Sequence, residues 1–465
     1  MGEVLKTGVR GPGSGDREQP DVLVRGGTVW TPEGARAADV RISGGTIAEI
    51  GDLAPLPGER VIDATGLHVL PGMIDMHVHI DDTIGPYELA DTFPTASRLA
   101  VATGVTTLAG FVTQRPGEML TAAVERCRAR ARGRSRCDVR FHLTPTAWPW
   151  PWDEVEHLVA AGCTTFKLYT TYREAGLFTS YDRLAAVMER LAPLGARLLV
   201  HCEDDEVLRA VDASALDPGD AHEHGRLRPE AAEVAAVERV LDLAARTGCP
   251  VHIVHVSTAD AVARIAAARS RAAVTCETAP HYLLLTDAAL SGRNGHRFLC
   301  TPPLRAAATR ARLEADAAAG AFDLFATDHC AFTKADKDAG RDDIRAVPSG
   351  VAGVGALVPM LFELLVVRHH LGLGELATRL AANPAKLLGI YPRKGAIAAG
   401  SDADLVVVDP SGPRRPVVST LADAYETYPG RTTTWNVRHV LLRGEAVVAD
   451  GALVEPARFT GQLLA

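Results

Sequence analysis

Apolar and polar positions change rhythm twice along this chain of 465 residues. In DVLVRGGTVW, ADVRISGGTIAEI and RVIDATGLHVL, between 21 and 70, apolar residues alternate with polar ones around Gly-Gly pairs. A period of two broken by such turns predicts short strands of an antiparallel sheet. ADLVVVDP and RHVLLRGEAVVADG near the other end have the same texture, with turns near Gly400 and Gly444. Two β-rich ends around a different middle predict one smaller β-sandwich domain built from both, 21–70 with 394–465.

Residues 71–393 alternate short apolar runs with Ala-, Leu- and Arg-rich stretches of helical period. The runs are GMIDMHV, VTTLAGF, VRFHLTP, TTFKLYT, ARLLVHC, PVHIVHV, AAVTCETA and DLFATDH. Among the helices between them are SYDRLAAVMERLAPLG and PEAAEVAAVERVLDLAARTG. Eight β units separated by helices are the number that closes a parallel (β/α)8 barrel. An open doubly wound sheet has the same count, but no Gly-rich dinucleotide loop follows the first strand. The expected fold class is therefore α/β: a (β/α)8 TIM barrel over 71–393 with the smaller sandwich beside it.

That placement gives meaning to the polar residues at the strand ends. Strand one ends in His77-Val-His79, strand four carries Lys167, strand five ends at His201, strand six at His255 and strand eight at Asp328. Barrel active sites lie at the C-terminal ends of the strands. Residues two apart on a strand share a face, so His77 and His79 can reach one ion, and the apolar Ile74, Met76 and Val78 suit a barrel strand. Any one of these histidines alone reads as a satisfied core residue. Together with Asp328 they read as a metal site of imidazole and carboxylate donors, zinc first, with manganese, iron, cobalt and nickel as alternatives. Lys167 is out of place as an ammonium in an apolar strand. It either snorkels to the rim, meets an acid, or is carboxylated by CO2 to a carbamate able to bridge two cations.

Composition narrows the partners. A formal net charge of -8 argues against nucleic acid and anionic membranes. The basic run Arg126–Arg140 reads as a solvated helix face and loop. No apolar run is long and clean enough to span a bilayer. Residues 1–20 lack the apolar core of a secretory signal and read as a disordered leader. Eight scattered cysteines without CxxC or disulfide spacing suit a reducing cytoplasm.

GMIDMHVH, TTFKLYTTY, LLVHCED, HIVHVST and ATDHCAF resemble the metal-binding segments of the amidohydrolase superfamily. With CETAPHYLLLTD, CTPPLR and NPAKLLGIYPRKGAIAAGSDADLVVVDP, the chain most resembles the cyclic amidase branch over residues 21–455. That branch holds dihydropyrimidinase, hydantoinase, allantoinase and dihydroorotase. The resemblance implies that His77, His79 and Asp328 bind the more buried of two divalent ions and that His201 and His255 bind the other. It implies carboxylated Lys167 and a hydroxide as bridges, the hydroxide attacking the amide carbon. Asp328 would then shuttle the proton, and Tyr172, five residues after Lys167, would donate to the oxyanion, with Tyr169 as a weaker substitute. Thr301 and Ser349 match positions whose backbone contacts the ring amide.

Within the branch, dihydroorotase-like proteins carry an arginine where this chain has Asp81, and an acid there repels a carboxylate substrate. DHCAFTKADKDAGRDDIRAVPSGVAG resembles the dihydropyrimidinase and hydantoinase form. Ser349 stands where that form has Asn and Gly355 where it has an acid, and SGVAGVGALVPML and ETAPHYLLLT lean towards allantoinase. The expected substrate is a small cyclic amide: a dihydropyrimidine, a 5-substituted hydantoin or a related imide or ureide. Allantoin is one alternative and a catalytically inactive scaffold another, the latter opposed by the six intact ligand positions. Trp148, Trp150 and Trp152 after strand three read as a packing loop or as an aromatic wall for a bulky substituent. Resemblance also implies a homotetramer or homodimer.

Overall fold

The computed structural model describes residues 21–455 and 459–464, so the expected leader over 1–20 lies outside the described residues. All eight apolar runs form strands, at Met73–Asp75, Val105–Thr113, Asp138–Thr144, Thr165–Tyr169, Arg197–His201, Val251–Ile253, Val274–Thr278 and Leu324–Phe325. They make one parallel sheet in chain order, each strand beside the next. The ring closes through a short parallel pairing of Val78–His79 with His329–Cys330, which puts Val78 opposite His329 and His79 opposite Cys330.

Alternation sorts the strand residues into two layers. Ile74, Met76, Ala109, Phe111, Leu199, Val254, Leu324 and Ala326 pack inside the barrel, with Ala385, Leu388 and Ile390 in the same cluster. Phe166, Leu168, Leu198, Val200, Val251 and Ile253 face outward into a larger core shared with the helices. Those helices include Phe93–Thr103, Leu120–Ala131, Tyr181–Leu191, Glu230–Thr247, Ala259–Ala268 and Ala307–Ala318. Each carries its apolar residues on the inward face, as Leu184, Val187, Met188 and Leu191 do on one. Gly104 and Gly248 end two of them in left-handed conformation, with φ of 99° and 70°.

The small domain draws on both ends of the chain. Val22–Thr31, Gly34–Ser43, Thr46–Gly51, Arg60–Asp63 and His68–Pro71 join Leu405–Asp409, Asn436–Leu442, Glu445–Ala449 and Ala452–Leu453 in one nine-stranded sheet. Its inner residues, among them Val24, Val40, Ile47, Ile62, Val69, Leu405, Val407 and Leu441, share one apolar core. The expectation of an antiparallel sheet needs correction. Val22–Thr31 pairs antiparallel with Gly34–Ser43 but parallel with both Arg60–Asp63 and His68–Pro71. The chain leaves the first hairpin and crosses back to run beside its own first strand.

The basic run also behaves differently from expectation. Its first half lies on the helix Leu120–Ala131, but Arg136 and Arg140 are buried. Arg136 donates to Val454 O and Glu455, and Arg140 to Gly162 O. These guanidiniums fasten chain segments, so the run is only partly a solvated face.

One buried charge cluster ties the barrel base to the small domain. Lys394 Nζ lies 2.6 Å from Asp404 and 2.9 Å from Asp402 and also bonds Asp138 at the start of barrel strand three. Arg443 reaches Asp138 at 2.6 Å. Opposite charges gathered out of water are tolerable only while all partners stay. Lys394→Met is expected to lose about 3–5 kcal/mol, read from the urea midpoint. An unchanged midpoint would mean that the cluster holds nothing together.

Candidate metal centre

The residues singled out in the sequence converge at the C-terminal mouth of the barrel. His77 Nε2 lies 3.1 Å and His79 Nε2 3.5 Å from Asp328 Oδ1. His201 Nδ1 faces His255 Nε2 at 3.0 Å. One donor atom each from His77, His255 and Asp328 falls within a 4.8 Å spread. The His77 ring centroid is 5.5 Å from that of His79 and 5.4 Å from that of His255. Lys167 enters from strand four, its Nζ 5.2 Å from the ring centroids of Phe111 and Tyr169, and forms no ion pair with any described residue.

Several of these candidates stand just beyond the regular strands rather than in them. Strand one stops at Asp75, strand six at Ile253 and strand eight at Phe325. The backbone then turns sharply. His255 and Asp328 take left-handed φ values of 38° and 47°, and Tyr172, past strand four, takes 68°. Each such residue costs about 1–3 kcal/mol and persists only where its surroundings hold it.

Two buried carboxylates that the sequence reading passed over hold the rings of His77 and His201. Glu277, on strand seven, accepts from His77 Nδ1 at 2.5 Å and also lies 3.2 Å from His252 Nε2. Glu203 accepts from His201 Nε2 at 2.7 Å and is itself met by Arg228. An ionised carboxylate only accepts, so both bonds assign the ring protons. His77 is left to offer Nε2 to the site, and His201 to offer Nδ1. Among the described residues the Nε2 of His77 has no hydrogen-bond partner despite its nearness to Asp328, and the buried Nδ1 of His255 has none either. Asp75 is held in turn by Thr327, whose hydroxyl donates at 2.6 Å and whose N–H donates at 3.1 Å. The signal for Glu277 was present in the sequence as a charged residue in the apolar strand AAVTCETA.

Electrostatics follow from burial. Burial raises the cost of the Asp328 carboxylate, yet His77 and His79 overcome it and hold the group well below the usual range. Burial, aided by His201, pushes His255 well below its ordinary value, and burial lowers His79 and His201 too. The shift biases these three imidazoles towards the neutral form that binds a cation, whereas for His77 the effect of burial is outweighed by Asp328 and Glu277, which raise it. Burial brings the Lys167 amine down to about 8, against the pull of Asp328 and Glu277. Imidazole nitrogens gathered beside a low carboxyl, with the Nε2 of His77 left unpaired, fit divalent metal.

The remaining candidates are nearby. The Tyr172 ring lies 5.0 Å from the His201 ring and 5.1 Å from the Arg228 guanidinium, with the Thr301 hydroxyl within reach of its phenol. Burial raises that phenol, with Arg228 opposing, so it stays protonated. Tyr169 meets Tyr172 edge-on at 5.7 Å. Ser349 sits half-buried next to Gly350, whose N–H donates to Leu299 O, two residues before Thr301. Asp81 pairs with Arg134 at 3.1 Å. Gly355 has no room for an acid: an added Cβ would lie 2.4 Å from Leu99 and from Val418 O. Of the tryptophans, Trp150 is buried against Phe166 and Trp152 lies under Arg190, as a packing loop requires, while Trp148 is 42% exposed.

A closed parallel barrel with this donor set at its mouth defines a metal-dependent hydrolase. The model of the Amidohydrolase family matches residues 68–447. A D-hydantoinase of Ralstonia pickettii is 33% identical over 443 residues, covering 93% of this chain and 96% of that one. A D-hydantoinase of Streptomyces coelicolor is 34% identical over 443 residues, covering 92% and 94%. Among solved structures, a dihydropyrimidinase from Brevibacillus agri superposes with a TM-score of 0.90 at 33% identity, covering 96% of this chain and 98% of that one. An L-hydantoinase from Arthrobacter aurescens does so with 0.86 at 29%, covering 96% and 99%. The chain belongs to the amidohydrolase family, in its cyclic amidase branch.

If Glu277 fixes His77 for a cation, Glu277→Gln weakens metal binding about 10–100-fold, measured by competition with a chromophoric chelator. Wild-type affinity in that variant would remove Glu277 from the metal site.

Proposed function

We propose that this chain opens the ring of a small cyclic amide at a centre of two divalent ions. The ring is a dihydropyrimidine, a 5-substituted hydantoin or a related imide or ureide. The observation that carries this reading is the meeting of His77, His255 and Asp328 donors within 4.8 Å, in a chain that matches D-hydantoinases along nearly its whole length. Allantoin is the lesser alternative, because the compared relatives are named for hydantoin and dihydropyrimidine. Zinc is the proposed native ion. His77, His79 and Asp328 would hold the inner ion, His201 and His255 the outer, with carboxylated Lys167 between them. A buried Lys167 amine without an ion pair supports that last point, since only the neutral amine attacks CO2, losing a proton as the carbamate forms.

Divalent cations held there supply Lewis acidity, which lowers the pKa of water and polarises an amide carbonyl. The chain's own groups do the rest. Asp328, ionised at neutral pH, accepts the proton of the attacking water and returns it to the departing ring nitrogen. Tyr172, kept protonated by burial, donates to the carbonyl oxygen as negative charge builds on it. Backbone groups near Thr301 and Ser349 hold the ring amide. Burial pushes the thiols of Cys202 and Cys330 up, so neither serves as a nucleophile.

In the same reading, 71–393 is the catalytic barrel and 21–70 with 394–465 its accessory domain. The enzyme works in the cytoplasm as a homotetramer or homodimer. No helix among the described residues is long and apolar enough to cross a membrane.

Metal-loaded protein should hydrolyse dihydrouracil or 5-substituted hydantoins, and a chelated control should not. Turnover of none of these rings, or full activity without metal, would overturn the assignment. Tyr172→Phe should lower kcat about 10²–10³-fold with bound metal unchanged, and an unaltered kcat would take Tyr172 out of the oxyanion site. Lys167→Ala should lose most of its metal along with activity. Activity should also fall in acid, because ligand imidazoles bind cations only when neutral.

A further inference from the structure

Lys337 is a buried cation that the chemistry above leaves unused. It lies on the short helix Lys334–Ala339, in the loop after barrel strand eight, and only 3% of it is exposed. Its Nζ forms no ion pair with any described residue and donates to Leu299 O at 2.8 Å. The same carbonyl accepts the Gly350 N–H at 2.9 Å. Leu299 stands two residues before Thr301, and Gly350 follows Ser349 directly. One carbonyl therefore joins the two backbone segments assigned to the ring amide, and Lys337 holds that carbonyl from a third segment.

The rest of the joint is equally well fastened. Cys300 O accepts from His224 Nε2 at 2.9 Å, and Pro302 O accepts from the Tyr282 hydroxyl at 2.7 Å. The Leu299 side chain packs with Ala221, Leu290, Ile344 and Val347 in a small apolar cluster apart from the main core. Apolar packing alone could hold these loops together. An ammonium has three donors, and burying one on a single carbonyl acceptor, with the Phe332 ring 5.9 Å from its Nζ as a further neighbour, is a poor way to add stability. Burial brings this one down to about 8. A group that costs stability and touches no reacting atom is explained if it sets a distance.

We propose that Lys337 is a positioning residue whose bond to Leu299 O fixes the spacing between the Thr301 and Ser349 segments, and so the grip on the substrate ring. The proposal rests on the reading of those segments as substrate contacts. The test compares wild type with Lys337→Met, Lys337→Gln and Lys337→Arg, all metal-loaded, on whichever ring the wild type opens. Lys337→Met should raise KM about tenfold with kcat within about threefold, keep its bound metal, and melt at or above the wild-type temperature. Lys337→Gln and Lys337→Arg, which keep a donor, should recover part of the KM.

Wild-type KM in Lys337→Met would overturn the proposal. So would a drop in melting temperature with kcat and metal content falling together, which marks an ordinary structural lysine. Should Lys337→Met not fold, the positioning role is rejected in favour of a structural one unless Lys337→Gln folds with raised KM and wild-type metal content. A wild type that opens no ring is a different failure, that of the proposed function itself.

Discussion

Closure of the barrel between its first and last strands is the contact on which the site depends. It rests on two short segments, Val78–His79 and His329–Cys330. One contains the ligand candidate His79, and the other follows Asp328 directly. Side chains alternate along a strand, so a slip of one residue would turn every one of them to the opposite face. Locking the register is therefore the same event as bringing His77 and His79 to Asp328. The lock is polar and buried. Thr327 bonds Asp75 across the seam, and His329 takes two backbone N–H bonds on Nδ1, from Gly353 and Val354, while facing Asp91 at 3.1 Å with Nε2. These groups sit at 0–1% exposure, where an unmade bond carries the full cost of desolvation.

That cost explains the layering behind the ligands. Where a histidine offers one nitrogen to the proposed site, a bond to its other nitrogen fixes ring and tautomer; His77 and His201 have such a bond, and the Nδ1 of His255 has none among the described residues. Glu277 serves His77 from across the barrel, two hundred residues away in sequence, and Glu203 serves His201 from the same strand end. Arg228 then meets Glu203 and also faces the Tyr172 ring. The proposed outer metal ligand and the proposed oxyanion donor thus share one cationic neighbour. Of the residues with left-handed φ, Tyr172 packs against this scaffold through the Arg228 guanidinium.

What could be read from the sequence divides along the same physical line. Strand periodicity is local, so the eight barrel strands, the shared face of His77 and His79 and the strand positions of Lys167 and His201 were legible. The break in alternation after Asp75, which brings both histidines inward along with Ile74 and Met76, was not. Partnership across the barrel is not local. Glu203 stood two residues from His201 within LLVHCED and still gave no sign that it would bond the ring. Arg228 lay in a long loop without period. The parallel pairing of the first strand with Arg60–Asp63 and His68–Pro71 was hidden for a related reason: alternation marks a strand but not its neighbour's direction. Arg136 and Arg140 misled because a run of basic residues looks solvated until a carbonyl is found for each guanidinium.

The division between barrel and loops also locates specificity. A dihydropyrimidinase and an L-hydantoinase superpose on this chain with TM-scores of 0.90 and 0.86, and D-hydantoinases match it along nearly its whole length. Proteins named for opposite enantiomers thus share the barrel, so the barrel fold by itself does not choose between them. On the proposed function, the choice would fall to segments that approach the ring from outside: the stretch after Lys167 that bears Tyr172, the segment around Thr301, and the loop from Asp328 to Ser349. In this chain the last two meet at the Leu299 carbonyl. In the proposed enzyme, small changes there would move the ring relative to Asp328 and Tyr172 without disturbing a donor atom of the candidate metal centre. A family can in this way keep one chemistry and exchange substrates, because loop geometry and metal geometry are held by different bonds.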